Sequence, residues 1–255
     1  MRIATWNVNS VRARLPRITP WIEQHQPDVL CLQETKVVDE QFPHEPFEDL
    51  GYVVQTFGQK SYNGVAIAAN REFEVLQRGF PGDSEDEQKR LIAGQVDDFL
   101  VVNIYLPNGS EVGSEKFAYK MEWMKKLRSF LDEFSPSDEK LVLTGDFNIT
   151  FEDRDVYDPD GWREKIHCST PEREALAHVM EYGLHDALRK HDENEAVYTW
   201  WDMRGGAWPK NNGLRIDHFL VTESALETCT AVEVHRDERG LKSPSDHVPV
   251  VAVFD

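Results

Sequence analysis

Short apolar runs alternate with amphipathic segments along the whole chain. Near-continuous apolar runs, such as VLCL at 29–32 and VVNIY at 101–105, predict strands that are covered on both faces. The predicted strands comprise residues 2–6, 28–32, 52–56, 64–69, 99–106, 141–144, 215–221, 230–235 and 248–254.

Three amphipathic segments predict helices. Apolar residues recur at intervals of three and four over about 14–25 and 115–134. A third helix is predicted to begin at Ser169 or Thr170, with Pro171 in its first turn. This order of strands and helices favours sheets packed face to face with helices outside over one regular parallel sheet. No linker or repeat interrupts the pattern, so residues 1–255 are expected to form a single domain.

Composition narrows the class of protein. The 255 residues are 40% hydrophobic, which is enough to fill a substantial core. No apolar run approaches the roughly 20 residues that cross a bilayer, and the opening MRIATWNVNS is strand-like with no signal core. The three cysteines, Cys31, Cys168 and Cys229, are too far apart for a zinc site or a disulfide framework. A cytoplasmic protein with reduced thiols and no membrane partner is therefore expected.

The balance of charge is strongly acidic. With 28 basic and 46 acidic residues the net charge is −18, which taken alone argues against a polyanionic partner. Surface charges, however, are screened beyond roughly 8 Å at physiological ionic strength. A local basic rim can hold phosphates if acidic residues, such as the run DSEDE at 83–87, lie on a remote face. The acidity therefore does not exclude nucleic acid.

Polar side chains stand where the predicted strands end. Asparagine and aspartate are common at any single strand-to-loop junction because they suit turns. Six junctions that all carry groups able to bind a metal or a phosphate are harder to attribute to turn chemistry alone. These residues are Asn7, Asn9, Glu34, Tyr105, Asn108, Asp146, Asn148, Asp217, His218, Ser245, Asp246 and His247.

The residue types at these junctions suit a hard divalent cation. Mg²⁺ takes one or two protein carboxylates and keeps several waters. Glu34 is the best candidate ligand, with Asn7 and Asp246 near it. No zinc-type Cys or His spacing, GxSxG string or Gly-rich phosphate loop is present.

The remaining junction residues suit hydrolysis of a phosphodiester. That reaction needs an activated water in line with the leaving oxygen, and donors for the developing charge. Asp146 is predicted to orient and deprotonate the water. Asn148, His247 and Tyr105 are predicted to donate to the phosphate oxygens. A second carboxylate, Asp217, would orient His247 and favour its charged form.

Eight strings of the chain resemble bacterial exonuclease III, a branch of the endonuclease/exonuclease/phosphatase superfamily that includes abasic-site endonucleases. The resemblance runs in register from Met1 to Asp255. The strings are WNVNSVRAR, LCLQETK, YNGVAI, RGFPGDSEDEQKR, NIYLPNG, LTGDFN, GLRIDHFL and PSDHVPV.

The resemblance implies a fold, a metal and a set of roles. The fold would be a four-layered α/β sandwich like that of deoxyribonuclease I, with two mixed sheets face to face and helices outside. Asp146 would activate water, Asp217 and His247 would form a supporting pair, and Tyr105 would contact the scissile phosphate. Mg²⁺, with Mn²⁺ as the open alternative, would be held by Glu34, Asn7, Asp146, Asn148 and Asp246.

The same resemblance implies double-stranded DNA as the substrate and a repair role. A monomeric 3′→5′ exodeoxyribonuclease that also acts on 3′ blocks or abasic sites is expected, with the balance of activities open. The segment 198–214 would lie in the minor groove and offer apolar side chains to a gap in the duplex. The residues expected to contact DNA are Asn9, Arg90, Asn108, Trp200, Trp208 and Leu214.

One segment suggests how this chain chooses among substrates. Residues 158–173 follow the GDFN strand and hold a bulky His167 beside small residues. We hypothesise that this segment narrows the site and favours nucleotides or phosphates at 3′ ends over internal abasic sites.

Two rival functions remain open at this point. A small-molecule phosphoesterase of the same superfamily would keep the metal cluster but would have no use for the 198–214 segment. A non-catalytic nucleic-acid-binding relative would have lost Glu34, Asp146, Asn148 or His247, all of which are present.

Overall fold

The computed structural model of the protein describes residues 1–84, 87–134 and 140–255. Glu85 and Asp86 of the acidic run at 83–87 therefore lie outside the described residues. The described strands are β1 (Arg2–Asn7), β2 (Val29–Gln33), β3 (Val53–Phe57), β4 (Val65–Ala69), β5 (Glu74–Arg78), β6 (Leu91–Val96), β7 (Phe99–Tyr105), β8 (Lys140–Asp146), β9 (Leu184–Asp186), β10 (Asp217–Thr222), β11 (Cys229–Val234) and β12 (Val250–Phe254).

Helices lie between these strands. The described α-helices are α1 (Val11–His25), α2 (Glu45–Glu48), α3 (Glu115–Leu131), α4 (Pro159–Trp162), α5 (Thr170–Met180), α6 (Ala187–His191), α7 (Ala207–Lys210) and α8 (Glu223–Thr228). Short 3₁₀ turns cover Asp39–Gln41, Asp153–Asp155 and Arg236–Gly240. Among these helices, none is both long enough and apolar enough to cross a membrane.

The strands form two mixed sheets of six strands each. The first has the order β11-β12-β1-β2-β4-β3, and the second has the order β5-β6-β7-β8-β10-β9. Each contains one parallel pair, β1 with β2 and β7 with β8, while their other paired strands are antiparallel. Helices α1 and α3 make the two connections between parallel strands, as such crossovers require.

Alternation along the strands divides the core into layers. On β7, Val101 joins a cluster with Val29 of the other sheet, whereas Leu100 and Val102 pack with Leu127 of α3. Successive side chains point to opposite faces of a strand, so one face meets the second sheet and the other meets helices. On the far side, the outer face of the first sheet packs on α1. The predicted four-layered α/β sandwich is confirmed.

Strand register places polar residues in rows at one end of the sheets. In the second sheet Tyr105 is opposite Asp146, and Asp146 is opposite Asp217. In the first sheet Asn7 is opposite Gln33, the residue before Glu34. A buried amide pair links the two sheets beneath these rows, since Gln33 Nε2 donates to Asn103 Oδ1 at 2.7 Å.

The predicted elements are confirmed apart from their bounds, whereas five short helices (α2, α4, α6, α7 and α8) and three strands were not predicted. Helix α1 begins at Val11, earlier than the predicted 14, because the Ser10 side chain caps it by accepting from Ala13 N. Helix α5 begins at Thr170, with Ser169 and Glu172 forming a capping box. The strands missing from the prediction are β5, β6 and β9.

Candidate active site

The first feature of the site is a bridge between the two sheets. Asn7 Nδ2, at the end of β1, donates to Glu34 Oε1 at 3.0 Å and to Asp146 Oδ2 at 2.9 Å. Asn7 and Asp146 are buried, whereas the Glu34 side chain is 18% exposed. One amide therefore brings two carboxylates from different sheets together at a point that solvent can reach.

Glu34 is held as an anion. Burial raises the pKa of its carboxyl, but the Lys36 ammonium and hydrogen bonds from Asn7 and Tyr105 outweigh that and lower the pKa below its usual value. Lys36 Nζ lies 2.7 Å from Glu34 Oε2 and donates to Asn9 Oδ1 at 2.6 Å. The Lys36 ammonium therefore already lies against the Glu34 carboxylate, which shows that this part of the site accommodates positive charge.

Asp146 and Asn148 are fixed by the turn that follows β8. Asn148 N donates to Asp146 Oδ1 at 2.8 Å, and Asn148 Nδ2 donates to Leu106 O at 3.0 Å. Burial raises the pKa of the Asp146 carboxyl to about 7, with charged His247 opposing the shift. A carboxyl with that pKa can accept a proton near neutral pH.

His247 lies between two carboxylates. Its Nδ1 is 2.9 Å from Asp217 Oδ2, and its Nε2 is 3.6 Å from Asp146 Oδ2. Thr199 Oγ1 also donates to Asp217 Oδ2 at 2.6 Å, which fixes that carboxylate. Burial alone would lower the pKa of His247, but the Asp217 charge outweighs it and raises the pKa to about 10. The imidazole is therefore charged at neutral pH.

Two groups of residues could hold a metal ion. Asp146, Asp217 and His247 bring ligand atoms within 4.8 Å of one another. A charged imidazole has no lone pair to give to a metal, so His247 fits a donor to phosphate better than a ligand. The second group is the Glu34 and Asp146 carboxylates, which supply oxygen ligands and are joined by the Asn7 Nδ2 donor. This donor set fits a hard cation such as Mg²⁺ or Mn²⁺.

Tyr105 completes the buried part of the site. Burial and the nearby Glu34 charge raise the pKa of its phenol well above the usual value, so the hydroxyl stays protonated. The Arg90 guanidinium lies 4.5 Å from the centroid of the Tyr105 ring, and Arg90 Nη1 donates to Tyr105 O at 3.0 Å. Arg90 is buried by these contacts and supports Tyr105. It also lines a surface cleft of about 350 Å³ together with Asn108, Tyr62 and Lys116.

The predicted residues on the opposite side are also brought together. Asp246 Oδ1 accepts from Asn9 Nδ2 at 3.0 Å, and its Oδ2 accepts from Trp200 Nε1 at 3.1 Å. Both Asp246 oxygens are therefore engaged by protein donors. The Trp200 ring is half-buried, and its centroid lies 6.3 Å from that of His167.

His167 lies in the site and is buried. Its Nδ1 is 2.6 Å from Asn148 O, and its Nε2 is 3.4 Å from Asn108 Nδ2. Asn108 Nδ2 also donates to Asn148 Oδ1 at 3.1 Å. Burial and the nearby Lys120 charge lower the pKa of His167 to about 4, so the ring is neutral.

Two of the residues predicted to contact DNA are engaged in packing in the structure. Leu214 is fully buried with Val156 and Ile216, because its backbone forms bridges with Val156 and Trp200. The Trp208 ring packs edge-on against Trp201, with ring centroids 4.9 Å apart, and also packs on Arg236. The structure therefore does not present Leu214 as an apolar wedge, and it uses Trp208 for packing. Of the three apolar residues predicted for this segment, only Trp200 reaches the site.

Several residues of the site have a left-handed backbone conformation. Positive φ values occur at Asn9 (46°), Glu34 (52°), Asn148 (51°) and His167 (74°). Asparagine and histidine tolerate this region better than most residues, whereas glutamate rarely adopts it. Such strain persists where surrounding contacts hold it in place, and it is typical of functional sites.

Sequence reasoning missed several residues that organise the site. Thr199 fixes Asp217, Lys36 pairs with Glu34, and Lys120 contacts the backbone of Asn148. The QETK string contains Lys36 two positions after Glu34, which was the available signal. Lys120 lies on the apolar stripe of α3, where its charge was the signal that a partner must be buried with it.

Comparison with known proteins links this geometry to one family. A model described as the Endonuclease/Exonuclease/phosphatase family matches residues 4–247. Exodeoxyribonuclease III of Haemophilus influenzae is 38% identical over 266 residues, and an exodeoxyribonuclease of Bacillus subtilis is 31% identical over 258 residues. Both alignments cover 100% of this chain and 100% of the relative.

Solved structures give the same association. The 3′ phosphatase NExo from Neisseria, bound to a product DNA hairpin, is similar with a TM-score of 0.96 and 42% identity, covering 100% of this chain and 99% of that chain. An AP endonuclease from Archaeoglobus fulgidus is similar with a TM-score of 0.94 and 39% identity, with the same coverage. These likenesses extend over the whole fold, including both sheets that carry the site.

Proposed function

The chain belongs to the endonuclease/exonuclease/phosphatase family, and from that membership we propose that it is a metal-dependent DNA repair phosphodiesterase. Its substrate is double-stranded DNA, on which it acts as a 3′→5′ exodeoxyribonuclease III-type enzyme that processes 3′ ends and cleaves abasic sites. It works as a cytoplasmic monomer. The names of the relatives, which include exodeoxyribonucleases, a 3′ phosphatase and an AP endonuclease, support this range of activities.

One observation carries the proposal. The Asn7 amide joins Glu34 of one sheet to Asp146 of the other, and His247 stands between Asp146 and Asp217. Carboxylates for a cation and a charged donor for phosphate therefore converge at one point. This arrangement supports hydrolysis of a phosphoester by a metal-assisted route.

The metal belongs on the Glu34 side of this point. Glu34 and Asp146 supply carboxylate oxygens, which fit Mg²⁺ and equally Mn²⁺, while Asn7 holds them together through its Nδ2, its Oδ1 accepting from Asn9 N at 3.0 Å. When bound, the ion would polarise the phosphate and offset negative charge that develops on its oxygens. Asn148 and Asp246, which the resemblance also implies as ligands, accept hydrogen bonds from protein groups as Glu34 and Asp146 do, and they remain proposed ligands.

Side chains of the protein accept the proton of the attacking water and donate hydrogen bonds to the phosphate. The Asp146 carboxylate, with its pKa raised by burial to about 7, accepts the proton of the attacking water. Charged His247 donates to a non-bridging oxygen, and Asp217 keeps it charged and oriented. The protonated Tyr105 hydroxyl donates to the phosphate as well. These donors stabilise the charge that accumulates at phosphorus.

The surroundings of the site fit a DNA strand. Trp200 stands at the edge of the site, where its ring offers a stacking surface, and Asn9 lies behind it on Asp246. On the other side, Arg90 and Asn108 line the cleft next to Tyr105. A strand running from this cleft past Tyr105 to Trp200 would bring one phosphate to the carboxylates.

The buried position of His167 supports a preference for 3′ ends. Its neutral ring fills space beside Asn108 and Asn148 that a glycine or serine would leave open. An extrahelical abasic sugar needs such space, whereas a terminal nucleotide or 3′-phosphate does not. We therefore assign His167 to substrate selection, with removal of 3′ blocks as the favoured activity.

Cleavage of three matched duplexes tests the function. The substrates carry an internal abasic analogue, a recessed 3′-hydroxyl end or a 3′-phosphate, and each is incubated with and without Mg²⁺. We expect cleavage only with the metal and the highest kcat/KM on the 3′-phosphate. Absence of cleavage on all three substrates would overturn the nuclease proposal.

The same substrates test His167. Replacing it with Gly or Ser should raise internal cleavage relative to terminal cleavage by roughly tenfold, the scale on which shape alone discriminates substrates. Tyr62→Ala in the neighbouring cleft serves as a control for general loss of DNA contact, because it should reduce all three activities together. An unchanged ratio in both His167 variants would show that the ring has no part in selection.

A further inference from the structure

A buried ion pair lies under the site and takes no part in the mechanism above. The side chains of Lys120, on α3, and Glu172, in the first turn of α5, are each 0% exposed and form a salt bridge. Burying two charges is costly, and replacing such pairs by apolar residues often leaves stability unchanged or higher. Packing α3 against α5 therefore does not by itself require this pair.

Lys120 holds two of the segments that carry site residues. Its ammonium donates to Asn148 O at 2.8 Å and to Asn108 O at 3.2 Å. Gly109 lets the chain approach this closely, since a Cβ there would meet Lys120 Cδ at 3.0 Å and Ile166 Cδ1 at 2.9 Å. The two asparagines that contact His167 are thus fixed through their backbones by one buried cation.

Glu172 holds the third segment. Its Oε1 accepts from His167 N at 3.1 Å, and its Oε2 accepts from Ser169 N at 3.2 Å and Ser169 Oγ at 2.6 Å. The backbone of His167 has a left-handed φ of 74°, and its N–H is held by the Glu172 carboxylate. The carboxylate therefore stabilises a strained position in the site.

The two halves of this network meet at the imidazole of His167. Asn148 O accepts from His167 Nδ1 at 2.6 Å as well as from Lys120. Because a carbonyl can only accept, the proton of the neutral ring is on Nδ1, and Nε2 keeps its lone pair toward Asn108 Nδ2. The ring thus has one orientation and one tautomer.

We infer that Lys120 and Glu172 are positioning residues that set the preference for 3′ ends by fixing His167. Apolar side chains at 120 and 172 would remove the side-chain partners of the Asn108 carbonyl and of the His167 and Ser169 amides, and would leave Asn148 O with His167 Nδ1 alone. A charged pair satisfies all four groups at once, which explains its place beneath the site. The effect on substrate choice rests on the proposed function, whereas the effect on the His167 ring does not.

Glu172→Gln is the primary test, with the terminal and internal substrates above. The ratio of terminal to internal cleavage should fall roughly tenfold, within the 10–100-fold range typical of residues that orient a site from behind. In a His167→Gly background the same substitution should leave the ratio unchanged, because the ring it acts through is gone. An equal fall in both backgrounds, or no fall in a folded Glu172→Gln protein, would overturn the inference.

A matched control separates positioning from general destabilisation. Asp155 is an equally buried carboxylate that accepts from Arg189 Nη2 at 2.6 Å and Arg215 Nε at 2.7 Å. Asp155→Asn should lower the Tm without changing the cleavage ratio. If Glu172→Gln does not fold, the double variant Lys120→Gln, Glu172→Gln removes both charges while keeping amide donors and acceptors, and it should show the same fall.

A spectroscopic readout makes the inference independent of activity. In ¹⁵N-histidine-labelled protein, the His167 signal, identified by its loss in His167→Gly, should report a proton on Nδ1. In Glu172→Gln the Nε2–H tautomer should appear, while the signals of His218 and His247 stay unchanged. A retained pure Nδ1–H tautomer would contradict the positioning role. If the wild-type protein cleaves no DNA, the proposed function fails, and this measurement still decides the role of the pair.

Discussion

Two regions of the site are held in place by different means. The strand-end centre (Asn7, Glu34, Asp146, Asp217 and His247) stands on or beside strands whose register fixes each side chain. The loop rim (His167 and Trp200) lies on segments 158–173 and 198–214, which contribute no strand to either sheet and are fixed by side-chain contacts. Rigid strands suit reactive groups that must keep fixed distances. Loops suit substrate selection, because they can change while the sheets stay the same.

If this division is correct, damage to the strand-end centre should affect every substrate equally. Asp146→Asn removes the group that accepts the proton from water. We expect kcat/KM to fall on the order of 10³-fold on the abasic, 3′-hydroxyl and 3′-phosphate duplexes alike. The measurement is initial rates under saturating Mg²⁺. A loss confined to one substrate would show that the two regions are not separate.

Asp146→Asn should raise the stability of the protein, although it lowers its activity. Burial raises the pKa of Asp146 to about 7, so the native state favours the protonated carboxyl, and the contribution of Asp146 to stability declines as pH rises from about 4 to about 7. In chelator at pH 8, Asp146→Asn should therefore raise the free energy of unfolding by on the order of 1 kcal/mol. The gain should vanish near pH 4. A variant less stable than wild type at pH 8 would contradict the assigned shift.

Asp217→Asn tests a residue of the strand-end centre that acts through His247. Asp217 raises the pKa of His247 to about 10, so charged His247 is available below that pH and is lost above it. The variant should lower activity on all substrates about 10²-fold and move the alkaline limb of the pH–rate profile toward neutrality. A rate loss with an unmoved alkaline limb would mean that Asp217 acts only through packing.

Substitutions in the loop rim should change KM and not kcat. Trp200→Ala removes a ring that stands beside His167 and donates to Asp246. Loss of one stacking contact should raise KM for duplex DNA about tenfold, with a small change in kcat. Steady-state kinetics on the 3′-phosphate duplex separates the two constants, and a dominant fall in kcat would move Trp200 into the centre.

Trp208 gives the smallest expected effect on activity. Its ring packs on Trp201 and Arg236. Trp208→Ala should lower the free energy of unfolding by about 2 kcal/mol and leave KM within about twofold of wild type. If Trp208→Ala raised KM as much as Trp200→Ala, that result would show that Trp208 contacts DNA.

The centre was far more predictable from sequence than the rim. Strand periodicity and a polar residue at each strand end depend on local pattern, so Asp146 after LVLTG could be assigned to the end of β8 directly. The fates of Leu214 and Trp208 depend on tertiary bridges and ring packing that no local pattern encodes. The three strands that were not predicted each carry a weak local signal. Strand β5 is at an edge, β6 contains Gly94, and β9 has three residues.

The pairing of β1 with β12 affects when, during synthesis of the chain, the active site can form. Strand β12 lies between β11 and β1, with Arg2 opposite Val253, so the earliest strand of the first sheet pairs early with β2 but obtains its second neighbour only when the latest strand has been synthesised. The same late stretch of chain delivers Asp246 and His247. A nascent chain that ends before Asp246 therefore lacks both its histidine donor and the strand that joins β1 to β11. Hydrolytic competence and completion of the first sheet thus depend on the same stretch of chain.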